Sequence, residues 1–302
     1  MLNWFDRLLC WVLSGGSIPL HVAFVMDGNR RFARKKMQSA WKGHAEGAEA
    51  LKKIATACAA VGIRVVSVYG FALGNFHRTP EEVEGLLGLA EAIFKDPDWI
   101  QGFLMSERIR LVVVGDLSFV GDRLREAAAA AERETAGNDR LLLRLCVSYG
   151  ARHEVHRITS PLHLENEGSG SAAPQWAALS KAEQHSSRRG AAAAVCAAAA
   201  VGLLHSQLGT AFFMALQGGN CPLPDMLIRT SGEARLSDFL LCEVSEGCFF
   251  HFVPVLWPDG SRSKQADCAV VVCARCSAAS WHHIPAFPAG VPPCKIYASV
   301  GR

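Results

Sequence analysis

Three stretches of this sequence place charged side chains next to glycine or hydroxyl residues. The first is Asp27-Gly28-Asn29-Arg30-Arg31, directly after an apolar run. Gly28 permits close backbone approach, and a helix opening there would turn its free amides toward an anion. Arg30 and Arg31 add donors matched to phosphate oxygens. An aspartate beside a diphosphate is the usual way to hold Mg²⁺, which takes few protein carboxylates and several phosphate oxygens. The second stretch is Asn75-Phe76-His77-Arg78. The third runs from Arg229 to Phe239, where Arg229 and Arg235 flank hydroxyl residues that could grip a second diphosphate. Gly43-His44, preceded by Lys42, adds an imidazole. Each stretch also has a plainer reading: an Asx turn before a solvated basic helix, a surface turn, and a capped helix start. A lone histidine is more often structural than catalytic. By spacing alone the plainer reading of the first stretch is slightly favoured.

The elements that must position these residues alternate. His21–Met26 reads as a short buried strand. Arg30–Lys36 and Gly47–Ala60 read as helices, the second ending at Val61-Gly62. Arg64–Phe71, Ile109–Val114 and Leu141–Val147 are further strands. Pro80-Glu81-Glu82 opens a helix, and Asp122–Thr135 is an alanine-rich one. This alternation predicts an α/β fold, a central parallel sheet flanked by helices. Ligands of such sheets bind beyond the carboxyl ends of the strands, where most of the residues above fall. The pattern breaks after Glu154 and returns at the strand Asp225–Arg229. Residues 161–222 are rich in serine, glycine and alanine and read as a low-complexity insertion. The tail 260–302 has no clear period. The expected organisation is an N-terminal segment over 1–20, one domain over 21–259 and an irregular tail.

Composition sets wide limits. The chain has 302 residues, half of them hydrophobic, and a net charge of +3, so bulk electrostatics names no partner. Eleven cysteines, an odd number and widely spread ahead of the tail, read mostly as free thiols in a reducing compartment. Gly190–Pro224 is uncharged but mostly alanine and is broken at His205-Ser206-Gln207, which argues against a membrane span. Trp4, Phe5, Leu8, Leu9 and Trp11 suit a short amphipathic helix, packed on the protein's own core or lying at a membrane surface. Arg30–Lys36 as a nucleic-acid-binding module is disfavoured by the near-neutral charge, so no nucleic-acid partner is expected. Cys273-x-x-Cys276 with His282 and His283 is a weak zinc signal.

Taken together, HVAFVMDGNRR (21–31), NFHR (75–78), IRTSGEARLSDFLL (228–241) and VLWPD (255–259) resemble the signature blocks of cis-prenyltransferases, in the family's order. Gly115-Asp116 and YGARHE (149–154) resemble two weaker blocks. The likeness is greater to eukaryotic dehydrodolichyl diphosphate synthase subunits than to bacterial undecaprenyl diphosphate synthases. The resemblance implies a Mg²⁺-dependent condensation of isopentenyl diphosphate onto farnesyl diphosphate or another allylic primer. Product would grow into an apolar tunnel. It matches Asp27 to the metal-binding and catalytic aspartate, and Asn29 and Asn75 to polar residues that support catalysis. It matches Gly28, Arg30, Arg31 and His44 to the allylic diphosphate site, and Arg78, Arg229, Arg235 and Ser237 to the isopentenyl diphosphate site. Phe32 and Phe76 match aromatic positions beside the substrates. A peripheral place on the cytosolic face of the endoplasmic reticulum is implied too.

The sequence also departs from the family pattern. Ala40 stands where a phosphate-binding arginine is usual, with Lys42 as a partial substitute that lacks the bidentate fork. Ala72-Leu73-Gly74-Asn75 replaces Ser-x-Glu-Asn, Cys242-Glu243 replaces Trp-Gln, and Cys248 stands where single-subunit enzymes carry a metal-binding glutamate. The chain ends Ser-Val-Gly-Arg without the Arg-x-Gly motif of self-sufficient enzymes. A Nogo-B-receptor-like subunit supplying that motif is therefore the expected partner. Two alternatives stay open. One is a catalytically impaired member, and the other is a misassembled coding sequence in the insertion and tail.

Overall fold

The run His-Val-Ala-Phe-Val forms β1 (His21–Val25), and all five residues are buried. A strand apolar on both faces belongs in the middle of a sheet covered on both sides. The computed structural model, which describes residues 18–159, 216, 221–245 and 247–259, places it there. β1 leads through α1 (Asn29–Lys35) and α2 (Ala40–Val61) to β2 (Val65–Ala72). A tight helical turn at Leu73–His77 precedes α3 (Pro80–Lys95). The turn Pro97–Trp99 widens over Ile100–Met105 and enters β3 (Ile109–Val114). Then come α4 (Asp122–Thr135), β4 (Leu141–Tyr149), α5 (Ala151–Thr159), β5 (Met226–Arg229) and β6 (Phe249–Phe252).

The strands lie in the order β3-β4-β2-β1-β5-β6, every pair parallel. β1 is flanked by β2, which follows it in the chain, and by β5, which comes much later. The strand order therefore reverses beside β1, and the crevice beyond the ends of β1 and β5 is where such sheets take ligands. Side chains alternate between two cores. Val22, Phe24, Val66, Val68 and Ile228 face the larger one with residues of α2, α3 and α4. Ala23, Val25, Leu227 and Cys146 face a smaller one closed by Phe239, Leu240 and Val244.

The five expected strands form, with ends shifted by a residue or two. Other details differ. α2 starts at Ala40 rather than Gly47, and α5 continues to Thr159, past the expected break at Glu154. β6 was not expected, because Phe-Phe-His-Phe has no alternation and three of its four residues are exposed. Arg229–Phe239 holds no helix start. It is a series of turns, with Ser231, Gly232, Ser237 and Asp238 at positive φ. Continuous description resumes at Cys221, inside the expected insertion, and the Pro222 carbonyl lies 2.6 Å from His21 Nδ1. Expectations for residues 1–17, most of the insertion and the tail with Cys273, Cys276, His282 and His283 lie outside the described residues. Cys146, Cys242 and Cys248 are free thiols. Among the described residues no helix is long and apolar enough to cross a membrane.

α1 ends in a Schellman motif. Gln38 N–H reaches the Ala33 carbonyl at 2.8 Å and Met37 N–H reaches the Arg34 carbonyl at 3.0 Å. This puts Met37 at φ 54, in the position where glycine is usual. A side chain held there costs about 1 kcal/mol.

Candidate active site

β1 and β5 run in register, Val25 opposite Arg229, so the residues after each strand meet. Thr230 locks Asp27 in place: its Oγ1 accepts the Asp27 N–H at 3.0 Å and donates to the Asp27 carbonyl at 2.7 Å. Trp257 N–H donates to the same carbonyl at 3.0 Å. The Asp27 carboxylate then meets two guanidinium groups. Buried Arg229 donates from Nη2 to Asp27 Oδ2 at 2.8 Å, and from Nη1 to the Arg235 carbonyl at 2.5 Å and Ser237 Oγ at 2.7 Å. Arg31 lies 3.7 Å from Asp27 Oδ1 and also donates to the Ser231 carbonyl at 3.3 Å, to Ser231 Oγ, and to Glu233 at 3.4 Å. Burial alone would raise the Asp27 pKa. The hydrogen bond and charge of Arg229, the Gly28 amide and the charge of Arg31 outweigh burial and hold it below the usual carboxylate range. Gly28 turns the chain at φ 107, and a Cβ there would lie 3.0 Å from the Leu256 side chain.

α2 crosses α1 closely enough that a Cβ on Gly43 would lie 2.3 Å from the Asn29 carbonyl. That contact explains why α2 extends back through two glycines, and it brings His44 beside Asn29. His44 Nε2 and Asn29 Oδ1 are both buried without a hydrogen-bond partner. Both line one cavity of about 110 Å³. The rest of its wall is largely apolar, from Leu51, Phe71, Leu86, Ile93, Trp99 and Trp257 among others. Trp257 is fixed by its Nε1–H, which donates to the Gly47 carbonyl at 2.8 Å. Burial, then the charge of Arg78 and a smaller contribution from Arg30, lower the His44 pKa to about 4, with Glu82 opposing. At neutral pH His44 is an uncharged imidazole.

Glu82 gathers two further cations, Arg78 at 2.8 Å and Arg30 at 3.7 Å. Arg235 and Ser237 are exposed at the rim, where Arg235 pairs with Glu233. The site residues expected from the sequence thus fall into three groups. Asp27, Arg31, Arg229 and Ser237 join directly, with Gly28 at their turn. Asn29 and His44 form the polar end of the cavity. Arg30 and Arg78 meet at Glu82. The others stand apart from the cavity. Asn75 Oδ1 accepts the Ala72 N–H at 3.0 Å and fixes the turn after β2. Phe76 packs in the core against Phe71, ring centres 4.9 Å apart. Phe32 is buried with Lys36 Nζ 4.2 Å over its ring. Neither aromatic is in the cavity lining. Sequence reasoning gave no role to Glu82 or Trp257, and took Thr230 for a phosphate-gripping hydroxyl rather than the lock on Asp27. Only Glu82 had a spacing signal, four residues after Arg78.

Among the described residues no group of three or more His, Cys, Asp or Glu side chains could hold a metal ion. Burial, and then Asp225, push the Cys248 thiol up to about 12. Among the described residues a metal held by several protein ligands does not fit. Mg²⁺ held by the ionised Asp27 and by the oxygens of a bound diphosphate does fit.

The family profile described as "Putative undecaprenyl diphosphate synthase" matches residues 25–270. A dehydrodolichyl diphosphate synthase complex subunit of Mus musculus is 34% identical over 260 residues, covering 85% of this chain and 68% of that protein. The tritrans,polycis-undecaprenyl-diphosphate synthase (geranylgeranyl-diphosphate specific) of Pyrococcus furiosus is 32% identical, covering 84% of each. The crystal structure of lavandulyl diphosphate synthase from Lavandula x intermedia with dimethylallyl diphosphate superposes with a TM-score of 0.63 at 25% identity. It covers 85% of this chain and 96% of that one.

Proposed function

The chain belongs to the undecaprenyl diphosphate synthase family, the cis-prenyltransferases, and we propose that it repeatedly condenses isopentenyl diphosphate onto an allylic diphosphate such as farnesyl diphosphate. One observation carries this reading. The ionised Asp27 and its surrounding arginines adjoin the polar end of an otherwise apolar cavity, whose wall includes the neighbouring Met26 and Asn29. That arrangement suits a ligand with a diphosphate head and a hydrocarbon tail.

In this reading Arg30, Arg31 and neutral His44 hold the allylic diphosphate, and Arg78, Arg235 and Ser237 hold that of isopentenyl diphosphate. Arg229 holds Asp27 and Ser237 in register between the two. The allylic C–O bond breaks as the isopentenyl double bond attacks the same carbon. The leaving diphosphate takes the electron pair, and loss of a proton then restores a double bond, in the cis geometry. Fixed guanidinium groups already stand where the negative charge collects. Both substrates are oriented before reaction. Mg²⁺ on Asp27, when bound, would neutralise diphosphate charge and help it leave.

The product would be a long polyprenyl diphosphate serving dolichol synthesis and protein glycosylation. Relatives named as subunits of a dehydrodolichyl diphosphate synthase complex support a partner, here a Nogo-B-receptor-like subunit. Exposed Phe249, Phe250 and Phe252 on edge strand β6 offer an apolar surface for one. The proposed place is the cytosolic face of the endoplasmic reticulum, held peripherally. The test is incorporation of labelled isopentenyl diphosphate with farnesyl diphosphate and Mg²⁺, for the chain alone and with that subunit. Long products that need the partner, and vanish with Asp27→Ala or a chelator, are expected. No product in any combination would make the chain a catalytically impaired member, with Ala40 and Gly74 as the first suspects.

A further inference from the structure

The turn joining α1 to α2 presents a long apolar side chain where the backbone prefers none. Met37 occupies the left-handed position of the Schellman motif, the position usually given to glycine, and is 96% exposed. It therefore carries the strain of that conformation while burying almost nothing within the chain. Trp41, the second residue of the next helix, is 53% exposed. Single exposed apolar residues are ordinary. Two bulky ones four residues apart in one exposed turn, one of them held at a conformational cost, are not explained by the fold.

The charge within the turn's own stretch of sequence is of one sign. From Arg34 to Ala45 the chain carries Arg34, Lys35, Lys36 and Lys42 and no acidic residue. All four are exposed. Lys35 reaches Asp259 at 3.5 Å, leaving an excess of three positive charges around the apolar tip. An apolar tip within a collar of lysines complements an anionic bilayer surface. Each lysine is drawn to the acidic headgroups, and Met37 and Trp41 enter the interface, where tryptophan is favoured. A protein partner with an acidic rim would also match the charge, but it would give Met37 no reason to project alone from a tight turn.

We infer that the Met37–Trp41 turn with its lysine collar docks the protein on an anionic phospholipid surface. This docking surface lies in a different stretch of sequence from the N-terminal segment and does not depend on the reaction assigned above. It belongs to the link between the helices that carry Arg30, Arg31 and His44.

The test is co-sedimentation of the full chain with vesicles of phosphatidylserine and phosphatidylcholine, against phosphatidylcholine alone, at several salt concentrations. Binding only to the anionic vesicles, weakening with salt, is expected. Met37→Gly with Trp41→Ser should weaken binding about tenfold, since each removes apolar area from the interface. Lys35→Ser with Lys36→Ser should weaken it and flatten the salt dependence. Asp27→Ala, which removes the proposed chemistry, should bind vesicles like the unmodified chain. Met37→Gly alone relieves the left-handed strain, so its melting temperature should rise while its vesicle binding falls. No vesicle binding by the unmodified chain would overturn the inference. So would binding unchanged in the Met37/Trp41 variant, which would assign attachment to residues 1–17 or another surface. A lowered melting temperature for Met37→Gly would overturn the strain argument on which it rests.

Discussion

Arg229 Nη2 and Asp27 Oδ2 meet at 2.8 Å across the crevice between β1 and β5, from positions 202 residues apart in the chain. The guanidinium side chain is only 4% exposed and the carboxylate 30%. Arg229 thus serves three acceptors at once, Asp27, the Arg235 carbonyl and Ser237 Oγ. Lysine keeps the charge but cannot present three donors in one plane. Arg229→Lys should lower activity more than tenfold while leaving a folded protein. Asp27→Asn keeps the shape but removes the charge that holds Arg229 and would hold Mg²⁺. It should lower turnover by at least about a hundredfold and stability by roughly 2 kcal/mol, because a buried guanidinium loses its counter-charge. Steady-state kinetics with urea titrations checks both, and an active Asp27→Asn enzyme would remove Asp27 from the chemistry.

His44 links the site to pH. Its folded pKa of about 4 lies below the ordinary 6.5, so between these values the unfolded chain binds the proton and the folded chain does not. Its contribution is present in full above pH 6.5 and is lost as pH falls toward 4. Buried His21, lowered to about 3 by burial and then Arg144, acts in the same direction. Glu154 opposes both. Burial, and then Glu243, raise it to about 7 against the stabilising Tyr149 hydrogen bond, so its share is lost as pH rises. The informative measurement is therefore the difference between the unmodified chain and His44→Gln. Urea midpoints across pH 4.5 to 7 should fall less steeply for the variant as pH drops. The integrated difference should be on the order of 3 kcal/mol. Parallel profiles would mean that His44 takes up a proton in the folded protein as readily as in the unfolded one.

The sequence made some of this legible and hid the rest for physical reasons. The strand His21–Val25 could be read because a strand buried on both faces is apolar throughout. The Asp27 turn could be read because glycine, acid and arginines follow that strand at once. Arg229 could be named as a phosphate ligand by resemblance. Its burial against Asp27 could not be read, because that depends on β5 pairing with β1 across a long stretch of unrelated sequence. Thr230 hid for the same reason, since its hydroxyl acts on a backbone more than two hundred residues earlier in the chain. The start of α2 was missed because Gly43 and Gly47 argue against a helix locally, and only the approach of α1 explains them. β6 was missed because an edge strand with exposed phenylalanines lacks the alternation that marks a half-buried one.

Thr230 gives a test of how far the Asp27 backbone must be held. Thr230→Val keeps the shape and removes both hydrogen bonds to Asp27. The Asp27 carbonyl keeps the Trp257 N–H, but the Asp27 N–H loses the acceptor Oγ1. A loss of about 1–2 kcal/mol in stability is expected. Turnover should fall about tenfold, as the carboxylate gains freedom, with little change in the KM for either substrate. Thr230→Ser should restore most of both, because it returns the hydroxyl. If Thr230→Ser is as impaired as Thr230→Val, the methyl group rather than the hydrogen bonds carries the effect.

The second face of the sheet holds a charge arrangement that packing alone does not explain. Arg144 is 2% exposed and Glu243 1%. Arg144 Nη1 donates to Ser67 Oγ at 3.1 Å, while its Nη2 and both Glu243 carboxylate oxygens are buried without a hydrogen-bond partner. Burial pushes the Glu243 carboxyl up, and the positive charge of Arg144 opposes that. The charges of Arg144 and Glu243 act on one another through space rather than through a direct hydrogen bond. Arg144→Met leaves a buried carboxylate alone and should cost roughly 3 kcal/mol, and Glu243→Leu should cost a similar amount by stranding the guanidinium. The double variant should recover much of the loss, since a well-packed apolar pair avoids the desolvation that two buried charges incur. A double-mutant cycle by urea denaturation should give a coupling above about 1 kcal/mol. Glu243 lies in the segment that follows Ser237 and Phe239, and Phe239 stacks on Tyr69 with ring centres 4.6 Å apart. The single variants should therefore also raise the KM for isopentenyl diphosphate, and the double variant should bring it back. Additive stability losses would show instead that the two charges are stabilised separately and that the smaller core does not depend on their pairing.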